Sequence, residues 1–179
     1  MPAFYKLFIP GQSTATASTV MFDLFNVSGS GLNIDVHHVC PQSAGDVALT
    51  GTLAPKMHLY KSTAVGTGGT AATVEGTDYA AMTITSYGHT QPINLDKVSA
   101  RLTPTGGATS GGVLSWVCQF TEESNVATYV ERDLVRRGNN AIPPLRLRPG
   151  TGIKVVQGSI GTSGTVGFDV LFSTSPNAT

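Results

Sequence analysis

The stretch from Leu145 to Lys154, "LRLRPGTGIK", sets a proline and two glycines between two arginines and a lysine, the residue types of a phosphate-holding loop. A Walker-type loop needs four residues between its first glycine and a Gly-Lys-Ser/Thr, so that backbone amides and the lysine converge at a helix N-terminus. Here Gly150 and Gly152 are followed by Ile153, Lys154, Val155 and Val156, and nothing downstream reads as helix. The dinucleotide pattern fails too, because Val155 stands where its third glycine belongs. A strand-turn-strand reading, as a hairpin or a tight loop, accounts for every residue. Leu145 and Leu147 face one way and Arg146 and Arg148 the other; Pro149-Gly150-Thr151-Gly152 reverses the chain; Ile153 and Val155 resume the buried face.

His37, His38 and Cys40 lie close together, and His58 and His89 are more distant candidates for a zinc site. Adjacent strand residues face opposite ways, so His37 and His38 do not share a metal, whereas His38 and Cys40 can. Histidines satisfied by hydrogen bonds are the simpler reading. Serines are too numerous to mark a nucleophile, and no G-x-S-x-G elbow occurs. Glu122-Glu123 is the only adjacent acidic pair, and consecutive acids suit a solvated turn better than a glycosidase pair facing across a substrate. The expectation is a non-enzyme without metal or cofactor.

The basic residues are unevenly placed. Arg132, Arg136, Arg137, Arg146, Arg148 and Lys154 fall within about 23 residues, against only Glu131 and Asp133 there. Such a run can dock on another protein, form a solvated edge, or bind nucleic acid; protein contact is favoured, since aromatics for base stacking are scarce there, Tyr129 being the nearest. Over 179 residues Lys plus Arg and Asp plus Glu balance at 11 each, and charged residues are 12% of the chain. A surface this neutral repels its own copies weakly, which suits a self-associating or partner-covered protein.

The elements that must position these residues are strands. Tyr5, Leu7 and Ile9 alternate on one face; Val20, Phe22 and Leu24 on another, with Met21, Phe25 and Val27 opposite; both sides of these strands are partly apolar, as for strands packed between a sheet and a neighbour. "LNIDVHHVC" places Leu32, Ile34, Val36, His38 and Cys40 against Asn33, Asp35, His37 and Val39. Further strands are expected at "PKMHLYKSTA", "NLDKVSARLTP", "GVLSWVCQF", "PLRLRP", "GIKVVQG" and "TVGFDVLFST", with Val166, Phe168, Val170 and Phe172 facing the core. The Gly/Thr/Ala-rich segment from Val65 to Pro92 has room for one short strand near Ala80–Thr85, and "NVATYVERDLVRRG" reads as a short helix.

The expected fold is all-β: an antiparallel β-sandwich of about 8–10 strands, jelly-roll-like, with at most one short helix and a closed barrel as second choice. Residues 1–179 form a single domain, in which residues 1–19 either pack at home or extend as an arm. No run approaches the about 18 apolar residues of a membrane span. "MPAFYKLFIPGQ" has only a short apolar run, so synthesis and folding in the cytoplasm are expected, with any later exit by a route other than secretion. Cys40 and Cys118 sit in apolar strand-like runs and are expected as buried thiols rather than a disulfide. Asn26-Val27-Ser28 and Asn177-Ala178-Thr179 match the glycan acceptor pattern but carry no weight without export.

"LYKSTAVGTGGTAATVEGTD" and, later, "PPLRLRPGTGIKVVQGSIGTSGTVGFDVLFS" resemble small proteins encoded among the virion genes of tailed bacteriophages, which carry a T-G-G-T loop and a closing L-R-P-G-x-G hairpin. The matching positions are Gly68, Gly69 and Thr70, then Leu147, Arg148, Pro149, Gly150 and Gly152; where such proteins more often have an acid between the hairpin glycines, this chain has Thr151. The resemblance implies a virion structural protein: a capsid decoration or cement protein, or a neck or tail component. Its partners would be the major capsid protein or other virion proteins, and its own copies, with a trimer favoured. The rival expectations are a shell-forming jelly-roll coat protein and a receptor- or glycan-binding module using Tyr60, Tyr79 or Tyr87.

Overall fold

In the computed structural model the alternating runs become strands of two antiparallel sheets; residues 3–14, 16–43, 56–72, 74–76, 97–107, 109–117, 133–135, 143–158 and 165–177 are described. The first sheet contains β1 (Ala3–Ser13), β3 (Leu32–Ser43), β6 (Val74–Gly76), β9 (Leu145–Leu147) and β11 (Thr165–Pro176), in the order β6-β1-β11-β3-β9. The second contains β2 (Val20–Asn26), β4 (Met57–Ser62), β5 (Thr70–Ala71), β7 (Val98–Leu102), β8 (Thr109–Val117) and β10 (Thr151–Gln157), in the order β5-β7-β2-β10-β4-β8. Without the inserted β5, β6 and β7, the orders β1-β11-β3-β9 and β2-β10-β4-β8 are those of a jelly roll. The β-sandwich expected from the sequence is present.

The core forms where the inward faces meet. Leu7, Ile9, Val166, Phe168, Val170 and Phe172 come from β1 and β11 as the alternation requires, and Phe22, Leu24, Ile153 and Val155 oppose them from β2 and β10. All are fully buried, each contributing about 1.5–3 kcal/mol of transfer free energy. Phe22 and Phe168 join the layers with ring centroids 5.2 Å apart. Tyr5, half-buried, stacks on Phe172 at 5.5 Å.

Four expectations need correction. First, β3 does not keep one parity: Phe172 pairs with Val36 but Leu171 pairs with His38, so His37 is a bulge residue. An inserted residue shifts every later side chain to the other face. Val39 consequently joins Ile34 and Val36 in the core, while His38 and Cys40 turn outward. Second, residues 133–135, the described part of the expected helix, form a bend, and no helix occurs among the described residues. Third, the described part of the long Gly/Thr/Ala segment contains β5 and β6, which attach to β7 and β1; the strand expected near Ala80–Thr85 lies outside the described residues. Fourth, the arginine-proline-glycine stretch is a turn but not a hairpin.

That turn links different sheets, since β9 pairs with β3 and β10 pairs with β2 and β4. Thr151 N–H donates to the Arg148 carbonyl at 3.0 Å, with Pro149 and Gly150 between them and Gly150 at φ 81°. Proline followed by a positive-φ glycine is the type II arrangement. Asn26 fastens the corner from inside. Its fully buried amide donates to the carbonyls of Leu32 (2.8 Å) and Leu147 (3.0 Å), accepts from Ser30, and its backbone carbonyl takes the Gly150 N–H. The N-terminal residues 3–13 pair at home as β1 rather than extending away.

Candidate functional site

Of the basic residues grouped in the sequence, Arg146, Arg148 and Lys154 are described, and Arg146 and Lys154 lie on different sheets. Arg146 lies on the outer face of the first sheet, where its Nε and Nη2 donate to the two carboxylate oxygens of Asp35 at 2.7 and 2.9 Å. This fork raises the Arg146 pKa above its ordinary value. Arg148 is exposed at the turn. Lys154, expected among the protein-contact residues, is buried on the outer side of the second sheet, its Nζ donating to the Gly107 carbonyl at 2.7 Å. Because the chain changes sheets at Gly150, equal strand parity before and after the turn refers to different faces. Arg132, Arg136 and Arg137 lie outside the described residues, as do His89, Cys118, Glu122, Glu123, Tyr79, Tyr87 and Tyr129.

Lys154 belongs to a polar row crossing the second sheet. In register, Arg101 of β7 sits beside Asp23 of β2, Asp23 beside Lys154 of β10, and Lys154 beside Tyr60 of β4. The T-G-G-T loop closes over this row. Asp23 accepts the Gly66 N–H at 2.8 Å and the Arg101 N–H at 3.1 Å, and Arg101 Nε donates to the Gly68 carbonyl at 2.6 Å. Burial pushes the Asp23 carboxyl up, and those amides with the Arg101 and Lys154 charges pull it back. At Gly69, φ is 62° and a Cβ would collide with the Leu102 carbonyl, so glycine is what lets the loop lie against β7. Gly68 (φ 66°) shares that turn, while Gly152 on β10 packs beneath Phe25. Asp23, on the outer side of β2, is thus covered by the protein's own loop, and Met21 and Phe25 on the same side are buried as well.

A second polar cluster forms at the sandwich edge. His38 Nδ1 donates to Asp133 Oδ2 at 2.6 Å and also hydrogen-bonds Cys40, a buried free thiol. These contacts, led by the Asp133 carboxylate, push the His38 pKa up to about 10. Asp133 Oδ1 accepts the N–H groups of Val39 (3.1 Å) and Val135 (2.8 Å), and Leu134 N–H donates to the Val39 carbonyl. Ser115 of β8 donates its hydroxyl to the Leu134 carbonyl. The cluster therefore buckles β3 to β8. His58, by contrast, lies on β4 in the other sheet, and burial lowers its pKa. Among the described residues no three His, Cys, Asp or Glu side chains are placed to hold a metal ion.

The outer side of β1 is different. Phe4 and Phe8 point away from the core and are 43% and 59% exposed. Between them Lys6 Nζ meets Asp169 of β11 at 2.9 Å, and Phe4 also contacts the ring of His37 at 5.4 Å. No protein-family model, curated protein or solved structure matches the chain. Its surfaces must speak for its function. The outer-face aromatics of β1 alternate with Tyr5, Leu7 and Ile9, so their sequence signal was two apolar faces on one strand. Asp23, Asp35 and Asp133 had no such signal, because their partners come from remote strands and loops.

Proposed function

We propose that this chain is a structural protein of a bacteriophage particle, a capsid decoration or cement subunit that binds and stabilises the shell through protein–protein contacts. The observation that carries the reading is the pair of exposed phenylalanines on a rigid sheet face, held around a Lys6–Asp169 ion pair. Large aromatics displayed on a sheet supply apolar area for association. The neutral, charge-poor composition adds support, as does the resemblance to virion proteins in the T-G-G-T loop and the L-R-P-G-x-G turn. Subunits act as a homo-oligomer, with a trimer favoured, seated on the major capsid protein or another virion protein.

A second reading, a shell-forming coat protein, is favoured by one observation, the jelly-roll strand order, which viral capsid domains use alongside lectins and cupins. Imaging the particles of the phage that encodes the chain, with and without it, tests both. Sandwich density on the outside of a shell that closes without the protein is the expected result. Density within the continuous shell would move the assignment to the coat protein, and density at a fibre tip or nowhere on the particle would overturn both.

A further inference from the structure

Three chemically active side chains meet on the outer side of the first sheet. His38 and Cys40 stand two residues apart beyond the β3 bulge, so they share a face, and the His38 ring hydrogen-bonds the Cys40 thiol. Asp133 arrives from a segment 95 residues away and takes His38 Nδ1 at 2.6 Å. The order is acid, imidazole, thiol: the carboxylate orients and charges the ring, and the charged ring adjoins the sulfur. The thiol's donation to the Pro41 carbonyl is long, at 3.8 Å, and holds the sulfur only weakly.

A separate observation comes from the neighbouring strand. Asp169 of β11 is the cross-strand partner of Cys40, which puts the two side chains on one face, about 4.5–5.5 Å apart at Cβ. Its Oδ2 meets Lys6 at 2.9 Å, but its Oδ1 is buried and has no hydrogen-bond donor among the described residues. Buried acceptors are nearly always satisfied, so an orphan beside a thiol suits a small molecule that brings its own O–H. Cys40 is 2% exposed, which restricts that molecule to a few atoms.

We infer that Cys40 is an oxidation site for a small hydroperoxide, with His38 as the proton donor and Asp169 as the acceptor that holds the peroxide O–H. In the step, the Cys40 thiolate attacks one peroxide oxygen. An S–O bond forms and the O–O bond breaks; the sulfur is oxidised to the sulfenic acid, and the second oxygen is reduced and leaves as hydroxide. The hydroxide takes the proton of the His38 imidazolium and becomes water. The charges support this. The Asp133 carboxylate, with Cys40, pushes the His38 pKa up to about 10, so the ring carries its proton at neutral pH, and a cation beside a thiol favours the nucleophilic thiolate. Around the pair, Lys6 is matched with Asp169 and Arg146 with Asp35, and the neutral Leu171 of β11 stands opposite His38.

This inference concerns one thiol and stands apart from capsid binding, so purified reduced protein tests it. Hydrogen peroxide is the probe, dimedone traps the sulfenic acid, and peptide mass spectrometry assigns it to Cys40 or Cys118. Cys40 should oxidise faster in the folded wild type than in the same protein in urea, although it is buried. His38→Asn should slow it about 100-fold, the loss expected when a positioned proton donor is removed. Asp169→Ala should slow it as well. Asp133→Asn should move the high-pH limit of the reaction from about 10 down toward the ordinary histidine value of 6.5, which a merely structural Asp133 would not do. Oxidation slower in the fold than in urea marks a shielded structural thiol and overturns the inference. So does a His38→Asn or Asp169→Ala variant that reacts at the wild-type rate, or an unmoved pH limit in Asp133→Asn. Where circular dichroism shows that a variant has lost its fold, the comparison of folded with unfolded wild type decides alone.

Discussion

His38 Nδ1 reaches Asp133 Oδ2 across 2.6 Å, joining β3 to a segment 95 residues further along the chain. The link fastens the sandwich edge because Asp133 also accepts two backbone N–H groups and Leu134 bridges onward to β8. His38 is charged in the fold up to a pKa of about 10, against 6.5 when unpaired. A raised histidine pKa stabilises the fold fully below 6.5, and that stabilisation is lost as pH rises through about 10. Replacing His38 by Asn should cost about 1.5–3 kcal/mol at pH 6 and progressively less toward pH 10.5. Urea unfolding of both proteins across this range measures the difference; a gap that stays constant with pH would refute the charged pairing.

Gly150 at φ 81° lies at the corner where the chain passes from β9 to β10. Gly150→Ala should destabilise by about 1–2 kcal/mol, because a Cβ is disfavoured in the left-handed region. Asn, which tolerates that region, should recover part of the loss. Thermal unfolding of the two variants gives the ranking, and equal stability of Ala and Gly at this position would show that the turn does not need positive φ.

Phe168 joins the two layers through its contact with Phe22. Truncation to Ala in a fully buried site should cost about 3–5 kcal/mol. Phe8→Ala, on the outer side of β1, should leave monomer stability within about 0.5 kcal/mol of wild type. Denaturant midpoints at low protein concentration test the pair together, and a large loss at Phe8 would mean that its ring is part of the core.

Arg148 and Lys154 should behave oppositely in particle binding. Arg148 is exposed, so Arg148→Ala should weaken docking on an acidic partner and reduce the salt dependence of binding. Lys154→Met should leave that salt dependence unchanged, because its ammonium is buried against the Gly107 carbonyl. Co-sedimentation with capsids over a range of ionic strength separates them. Equal effects would mean that Lys154 reaches the contact after all.

Much of the fold was legible locally. Alternation in "VGFDVLF" and "YKLFI" identifies the buried faces of β11 and β1 because strand side chains repeat every two residues and water excludes one side. The His37 bulge was not legible. Nothing in "VHHVC" distinguishes an inserted residue from a paired one; the register of β11 against β3 does so, and with it the choice of Val39 over His38 for the core. The candidate surfaces divide similarly. Phe4 and Phe8 were readable as apolar residues opposite a core face, whereas Lys154 was not readable as buried.

By itself the sequence determined most of the long strands, the inward residues of β1, β10 and β11, and the Pro149-Gly150 turn, since each depends on neighbours a few positions away. Tertiary structure alone decided that this turn changes sheets, that Asp23 and Lys154 share a covered row, and that Asp133 meets His38. Those contacts are set by strand order and register, in which residues far apart in the chain become neighbours only when both sheets close around a common core.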